Sequence, residues 1–208
     1  LVEDVVPARI EAKITAAADV LTPPAPLPVQ IDAKYLYGAP AANLPVKSEV
    51  VIAADPAPFP DQPGYRFGLA DEKVEAERLT YDDTTTDDQG HLELDMSFDT
   101  VPEAQVPLAA TLRVEVYEFG GRPVIETLTK PIRDKDLYLG IKPLFADDQT
   151  QEGSQAEFEV LALGRDGKTK AQPKLSYRLV REDWDYVWFY RDNRWDYDYV
   201  VRDAESST

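Results

Sequence analysis

Hydrophobic and polar residues alternate along much of this chain with a period of two. Val29, Ile31, Ala33, Tyr35 and Tyr37 are interleaved with Gln30, Asp32, Lys34 and Leu36, as in a strand with one face in a core and the other toward water. Leu92, Leu94, Met96 and Phe98 alternate likewise with Glu93, Asp95 and Ser97, and Leu112, Val114 and Val116 with Arg113 and Glu115. Ile10, Ala12 and Ile14 against Glu11 and Lys13 form a shorter example. Further along come Leu137, Leu139 and Ile141, then Phe158, Val160 and Ala162, then Leu175, Tyr177 and Leu179. Gly120-Gly121 and Asp166-Gly167 tolerate the positive φ of tight turns. They predict hairpins joining 114–117 to 124–128 and 157–163 to 174–180. Gln89-Gly90 ends a loop before the strand at Leu92, and residues 73–78 are too few and too polar for an amphipathic helix.

Seventeen prolines against ten glycines, spread throughout, oppose long helices and favour short strands joined by turns. About a dozen strands and no helix follow, so the chain is all-β. The strand spacing suits tandem antiparallel β-sandwiches of the fibronectin III-like kind. A charged hinge, Arg133-Asp134-Lys135-Asp136, sets the boundary between a first domain, 1–133, with room for seven strands, and a second, 134–208. The second offers four or five strands before a polar tail at 203–208, which is short for a sandwich. It is expected to be a smaller barrel or to be incomplete at its C-terminal end.

Composition narrows the function. The 208 residues carry a formal charge of −17, which repels phosphate backbones and anionic lipid, so neither nucleic acid nor direct membrane contact is expected. No apolar run approaches the roughly 18 residues of a membrane span, nothing resembles a signal peptide, and the chain starts at Leu1, as a piece of something longer would. The absence of cysteine excludes disulfides, thiolate metal sites and a Cys nucleophile. A lone histidine, His91, excludes a multi-His metal site and leaves little for a Ser-His-Asp triad. Ser154, Ser176, Ser206 and Ser207 lack the setting of a nucleophile. No dinucleotide, phosphate-loop or zinc-protease motif is present. The expectation is a protein that is not an enzyme and carries no cofactor and no metal.

Two segments invite a functional reading. The acidic run Asp82-Asp83-Thr84-Thr85-Thr86-Asp87-Asp88-Gln89-Gly90 suggests calcium, but the EF-hand register lacks its central glycine, and a solvated loop is the competing reading. His91 is expected at an exposed strand end. The stronger pattern is 183–200. With Asp192-Asn193 as a two-residue turn, Arg191 faces Arg194, Tyr190 faces Trp195, Trp188 faces Tyr197 and Tyr186 faces Tyr199. Together with Trp184 these aromatics form a candidate interface. Such a row could stack on sugar rings, meet a partner protein, or pack against a neighbouring sheet with its polar tips at the rim.

A family resemblance then enters. Residues 33–46, with Tyr35-Leu36-Tyr37-Gly38-Ala39-Pro40-Ala41, resemble the strand-and-turn of a macroglobulin domain in bacterial alpha-2-macroglobulins. The lead-in from Val2 to Ile10 is similar to the same domain's start. Leu139-Gly140-Ile141-Lys142-Pro143, Glu152-Gly153, Asp166-Gly167 and the Trp/Tyr-rich hairpin resemble the next domain in order. The resemblance implies adjacent fibronectin-like macroglobulin domains, the fifth and sixth. It implies a periplasmic parent, lipid-anchored to the inner membrane, that traps foreign proteases in bacterial defence once they cut a bait region. The partners implied are neighbouring macroglobulin domains and, through the parent, target proteases. The family's thioester needs a cysteine, so that chemistry cannot reside here. The competing reading is a pair of extracellular Ig-like or fibronectin-like modules that bind carbohydrate or a surface protein through Trp184, Trp188, Trp195 and the intervening tyrosines.

Overall fold

A computed structural model describes residues 9–207 except 99, 119, 147, 148, 152, 173, 192 and 193. In chain order the strands are β1 (Ile10–Ala16), β2 (Leu27–Tyr35), β3 (Pro45–Ala54), β4 (Arg66–Phe67), β5 (Glu77–Thr80), β6 (Thr84–Thr85) and β7 (His91–Met96). They continue with β8 (Leu108–Val116), β9 (Val124–Ile132), β10 (Tyr138–Pro143), β11 (Phe158–Leu163), β12 (Leu179–Arg191) and β13 (Arg194–Ser207). Every strand pairing is antiparallel, and no α-helix occurs among the described residues, so the fold is all-β. The chain divides after Lys170 into two compact units.

Within the first unit, β1-β2-β7 form one sheet and β5-β3-β8-β9 another, with β6 added beside the start of β3. One continuous core joins residues of both sheets: Val29, Ile31 and Met96 from one, and Val46, Val50, Ile52, Leu112 and Val114 from the other. Alternation is the cause. In β2, Leu27, Val29, Ile31 and Ala33 are buried while Pro28, Gln30 and Lys34 face water. Each large side chain so buried contributes about 1.5–3 kcal/mol. The Gly120-Gly121 region closes the predicted hairpin, with Val116 paired to Val124.

The alternation in the sequence does not mark β3, an inner strand of its sheet. Val46, Ser48, Val50 and Ile52 point inward, but Ser48 occupies an interior position and Val51 an outward one, which blurs the period. Residues 174–178 were expected in a strand and are not in one; β12 begins at Leu179. The Asp166-Gly167 turn forms, with Gly167 at φ 74. Among the described residues the returning backbone nevertheless pairs only over 168–170, with Gly164 N–H donating to Lys168 C=O and Lys170 N–H to Ala162 C=O, each at 2.8 Å. Leu175 and Tyr177 are 49% and 79% exposed. No buried face holds a register there, and Pro173 has no N–H to donate to a ladder. The polar 203–208 tail is likewise not a loose end as far as Ser207, because β13 pairs to its last residue, with Ser207 opposite Leu179.

Candidate interaction surface and family

The second unit is a two-stranded ribbon of β12 and β13. Its ladder pairs Arg191 with Arg194, Tyr190 with Trp195, Trp188 with Tyr197 and Tyr186 with Tyr199, the facing pairs expected from sequence. The Asp192-Asn193 turn lies outside the described residues, as do the side chains of Trp184, Trp195, Tyr197 and Tyr199. Tyr186, Trp188 and Tyr190 share one face by their two-residue spacing and are 66%, 63% and 56% exposed. Val187, on the opposite face, is also exposed. Beyond Arg181 the ladder shifts register by a bulge, which increases local twist.

The acidic loop is explained by its own turn. The Asp87 carboxylate accepts from the N–H groups of Gln89 and His91, each at 2.8 Å. These bonds, that from His91 foremost, hold its carboxyl below the usual range. Asp88 accepts from Asn43 Nδ2 at 3.1 Å and Asp83 lies 3.7 Å from Lys47. Buried Thr86 donates to Ala41 C=O and accepts from Leu44 N–H, which ties the loop to the core. Among the described residues no group of three or more His, Cys, Asp or Glu is placed to hold a metal. His91 stands exposed at the start of β7, where its Nδ1 lies 2.5 Å from Asp32 Oδ1 on the facing strand. An open groove of about 570 Å³ beside them is lined by charged strand residues, among them Glu11 and Lys34, 2.9 Å apart.

A second cluster is not marked by the hydrophobic pattern. Phe59, Phe67, Tyr138 and Leu163 form a small core separate from the main one. Arg133, expected in a charged hinge, is only 4% exposed, with its guanidinium 4.2 Å from the Phe59 ring centre. Proline-flanked Phe59 sits in a segment with no period, so nothing in the pattern marked it as interior. The only signal was the density of aromatic residues in 59–67.

The paired antiparallel sheets and the absence of α-helix among the described residues suit a macroglobulin type of β-scaffold when set beside known proteins. Residues 8–133 match the family model described as the bacterial alpha-2-macroglobulin MG5 domain, and residues 140–208 match bacterial macroglobulin domain 6. The chain belongs to the bacterial alpha-2-macroglobulin family. It is 35% identical over its whole length to an alpha-2-macroglobulin of Xylella fastidiosa (strain Temecula1), of which it covers 13%. Among solved structures, Salmonella alpha-2-macroglobulin reacted with methylamine superimposes with a TM-score of 0.77 at 26% identity, over 99% of this chain and 14% of that one. Escherichia coli alpha-2-macroglobulin activated by porcine elastase gives 0.73 at 27% identity, over 98% of this chain and 19% of that one. The chain therefore spans less than a fifth of the length of each of these relatives.

Proposed function

We propose that this chain forms two adjacent scaffold domains, the fifth and sixth macroglobulin domains, of a bacterial alpha-2-macroglobulin that inhibits proteases by trapping them. The observation that carries this reading is the match to the two domain models in consecutive order. The likeness to an elastase-activated relative supports proteases as the parent's targets. The domains divide at 133/134, a boundary supported by the end of β9 at Ile132 and the start of β10 at Tyr138. The chain itself performs no chemistry; its partners are the neighbouring macroglobulin domains. The parent resides in the periplasm, lipid-anchored to the inner membrane. Fractionation of the host supports that location if the parent stays with inner-membrane vesicles and is released by detergent, and contradicts it if the parent is found in the cytosol.

The scaffold role is tested by mixing trypsin or elastase with the parent and, separately, with the 208-residue chain. The parent is expected to block hydrolysis of a large protein substrate while small peptide substrates are still cleaved. The chain alone is expected to affect neither. Inhibition by the chain alone, or a parent that does not discriminate by substrate size, contradicts the reading.

A second reading rests on the exposed Tyr186, Trp188 and Tyr190, which suit contact with a sugar or protein surface. It predicts a change in tryptophan fluorescence on glycan titration that is lost in Trp188→Ala. A flat titration removes it.

A further inference from the structure

We infer that the excursion between β3 and β5, residues 55–72, is a clamp that fastens the β10–β11 hairpin to the first sandwich, so that both open as one cooperative unit. The inference concerns this chain's own mechanics and does not depend on protease trapping.

Four contacts build the clamp. First, β4 of the excursion pairs with β10 on the edge opposite β11, placing Phe67 beside Gly140 and Arg66 beside Ile141. Second, Phe59 and Phe67 of the excursion pack with Tyr138 and Leu163 of the hairpin, which are 4% and 0% exposed. The Phe59 ring centre lies 4.6 Å from that of Phe67 and 5.3 Å from that of Tyr138, the latter edge-on. Gly140 is required by close approach, because a Cβ there would stand 2.7 Å from the Phe67 ring. Third, Arg133 closes the joint, donating to Pro58 C=O and, at 3.3 Å, to Ile132 C=O. Its guanidinium lies over the rings of Phe59 and Tyr138, 4.2 and 5.5 Å from their centres. A buried cation persists only where such groups replace its water. Fourth, the base of the excursion is anchored to the sandwich. The Glu72 carboxylate accepts from Gln105 N–H at 2.8 Å and Val106 N–H at 2.8 Å. Gly68, at φ +82, lies so close to Val106 that a Cβ would come within 2.5 Å of its Cα. Lys135 of the connector donates to the carbonyls of Ala104 and Gln105.

The two faces of the hairpin decide the matter. On one, Leu139, Ile141, Phe158 and Val160 are 45%, 44%, 50% and 53% exposed. On the other, Tyr138, Gly140 and Leu163 are buried against the excursion. A two-stranded hairpin is at best marginally stable in water, so within the described residues the clamp supplies the apolar burial that holds this one.

Native-state hydrogen exchange of the 208-residue chain tests the inference. Amides of β10 and β8 are expected to share one dependence on denaturant. In Gly140→Ala the β10 amides should exchange at least about tenfold faster while those of β8 are unchanged. Independent, easier opening of β10 in the unaltered chain overturns the inference, as does a Gly140→Ala chain in which β10 stays protected with β8. Should Gly140→Ala fail to fold, a cysteine pair decides. The chain has no cysteine of its own, so Arg66→Cys with Ile141→Cys places two thiols at directly paired positions. Directly opposed residues of an antiparallel pair have Cα atoms about 4.5–5.5 Å apart, within the range of a disulfide. Complete intramolecular crosslinking under mild oxidation is the expected result, and failure to crosslink in the folded chain overturns the clamp.

Discussion

Single residues set the shape of the acidic loop. Gly90, at φ +80, turns the chain into β7, and a Cβ there would come within 2.2 Å of Ala33 C=O. Gly90→Ala therefore combines left-handed strain with a backbone collision and should destabilise the sandwich by about 2 kcal/mol or more, read from the denaturant midpoint. Thr86→Val keeps the shape of the side chain but strands Ala41 C=O and Leu44 N–H, which the hydroxyl satisfies. A loss of about 1–3 kcal/mol is expected in the same measurement. Acid sensitivity belongs to this scale too. Bonds from Gln105 and Val106 N–H lower the Glu72 carboxyl, and those from His91 and Gln89 lower that of Asp87. A depressed carboxyl contributes stability above its unfolded pKa, about 4, and loses that contribution as pH falls through its lower folded value. The thermal midpoint should therefore drop on acidification below about pH 4, and Glu72→Gln should make the drop shallower. An unchanged acid slope in that variant would show that Glu72 does not contribute.

Elements were legible where one face of a strand is apolar and the other mostly polar. Strands β2, β7 and β8 satisfy that condition and stood out at once. So did the β12–β13 ribbon, because a two-residue gap between aromatic runs admits one register in which tyrosine and tryptophan face each other. β3 was hidden by Ser48 inside and Val51 outside, although tertiary burial makes it central. Ile52 is fully buried in it; Ile52→Ala should cost about 2–5 kcal/mol by transfer and cavity terms, measured by equilibrium unfolding. The stretch 174–178 erred the other way: its alternation is present, but nothing buries it. The clamp was illegible for a related reason. Its members come from an irregular, proline-rich excursion and from a charged connector, and they meet only once β4 reaches β10. Contacts of that kind depend on tertiary approach, which local period does not encode.

At the scale of the molecule, composition and motif agree with the fold. Many prolines, few glycines and the absence of cysteine suit a rigid β-scaffold that needs neither disulfides nor a reactive thiol. What composition alone did not supply was the family; that was legible in the strand-and-turn around Tyr35-Leu36-Tyr37-Gly38 and in the order of the segments after it. If the proposed function holds, a scaffold within a protease trap must survive the attack that springs it. The central claim is tested most directly by exposing the full-length parent to trypsin or elastase and mapping every cut by mass spectrometry. The account predicts one dominant cleavage elsewhere in the parent, with residues 9–170 of this chain intact while the protease becomes unable to reach large substrates. Early cuts scattered through those residues, with the protease still free to digest large proteins, would contradict it.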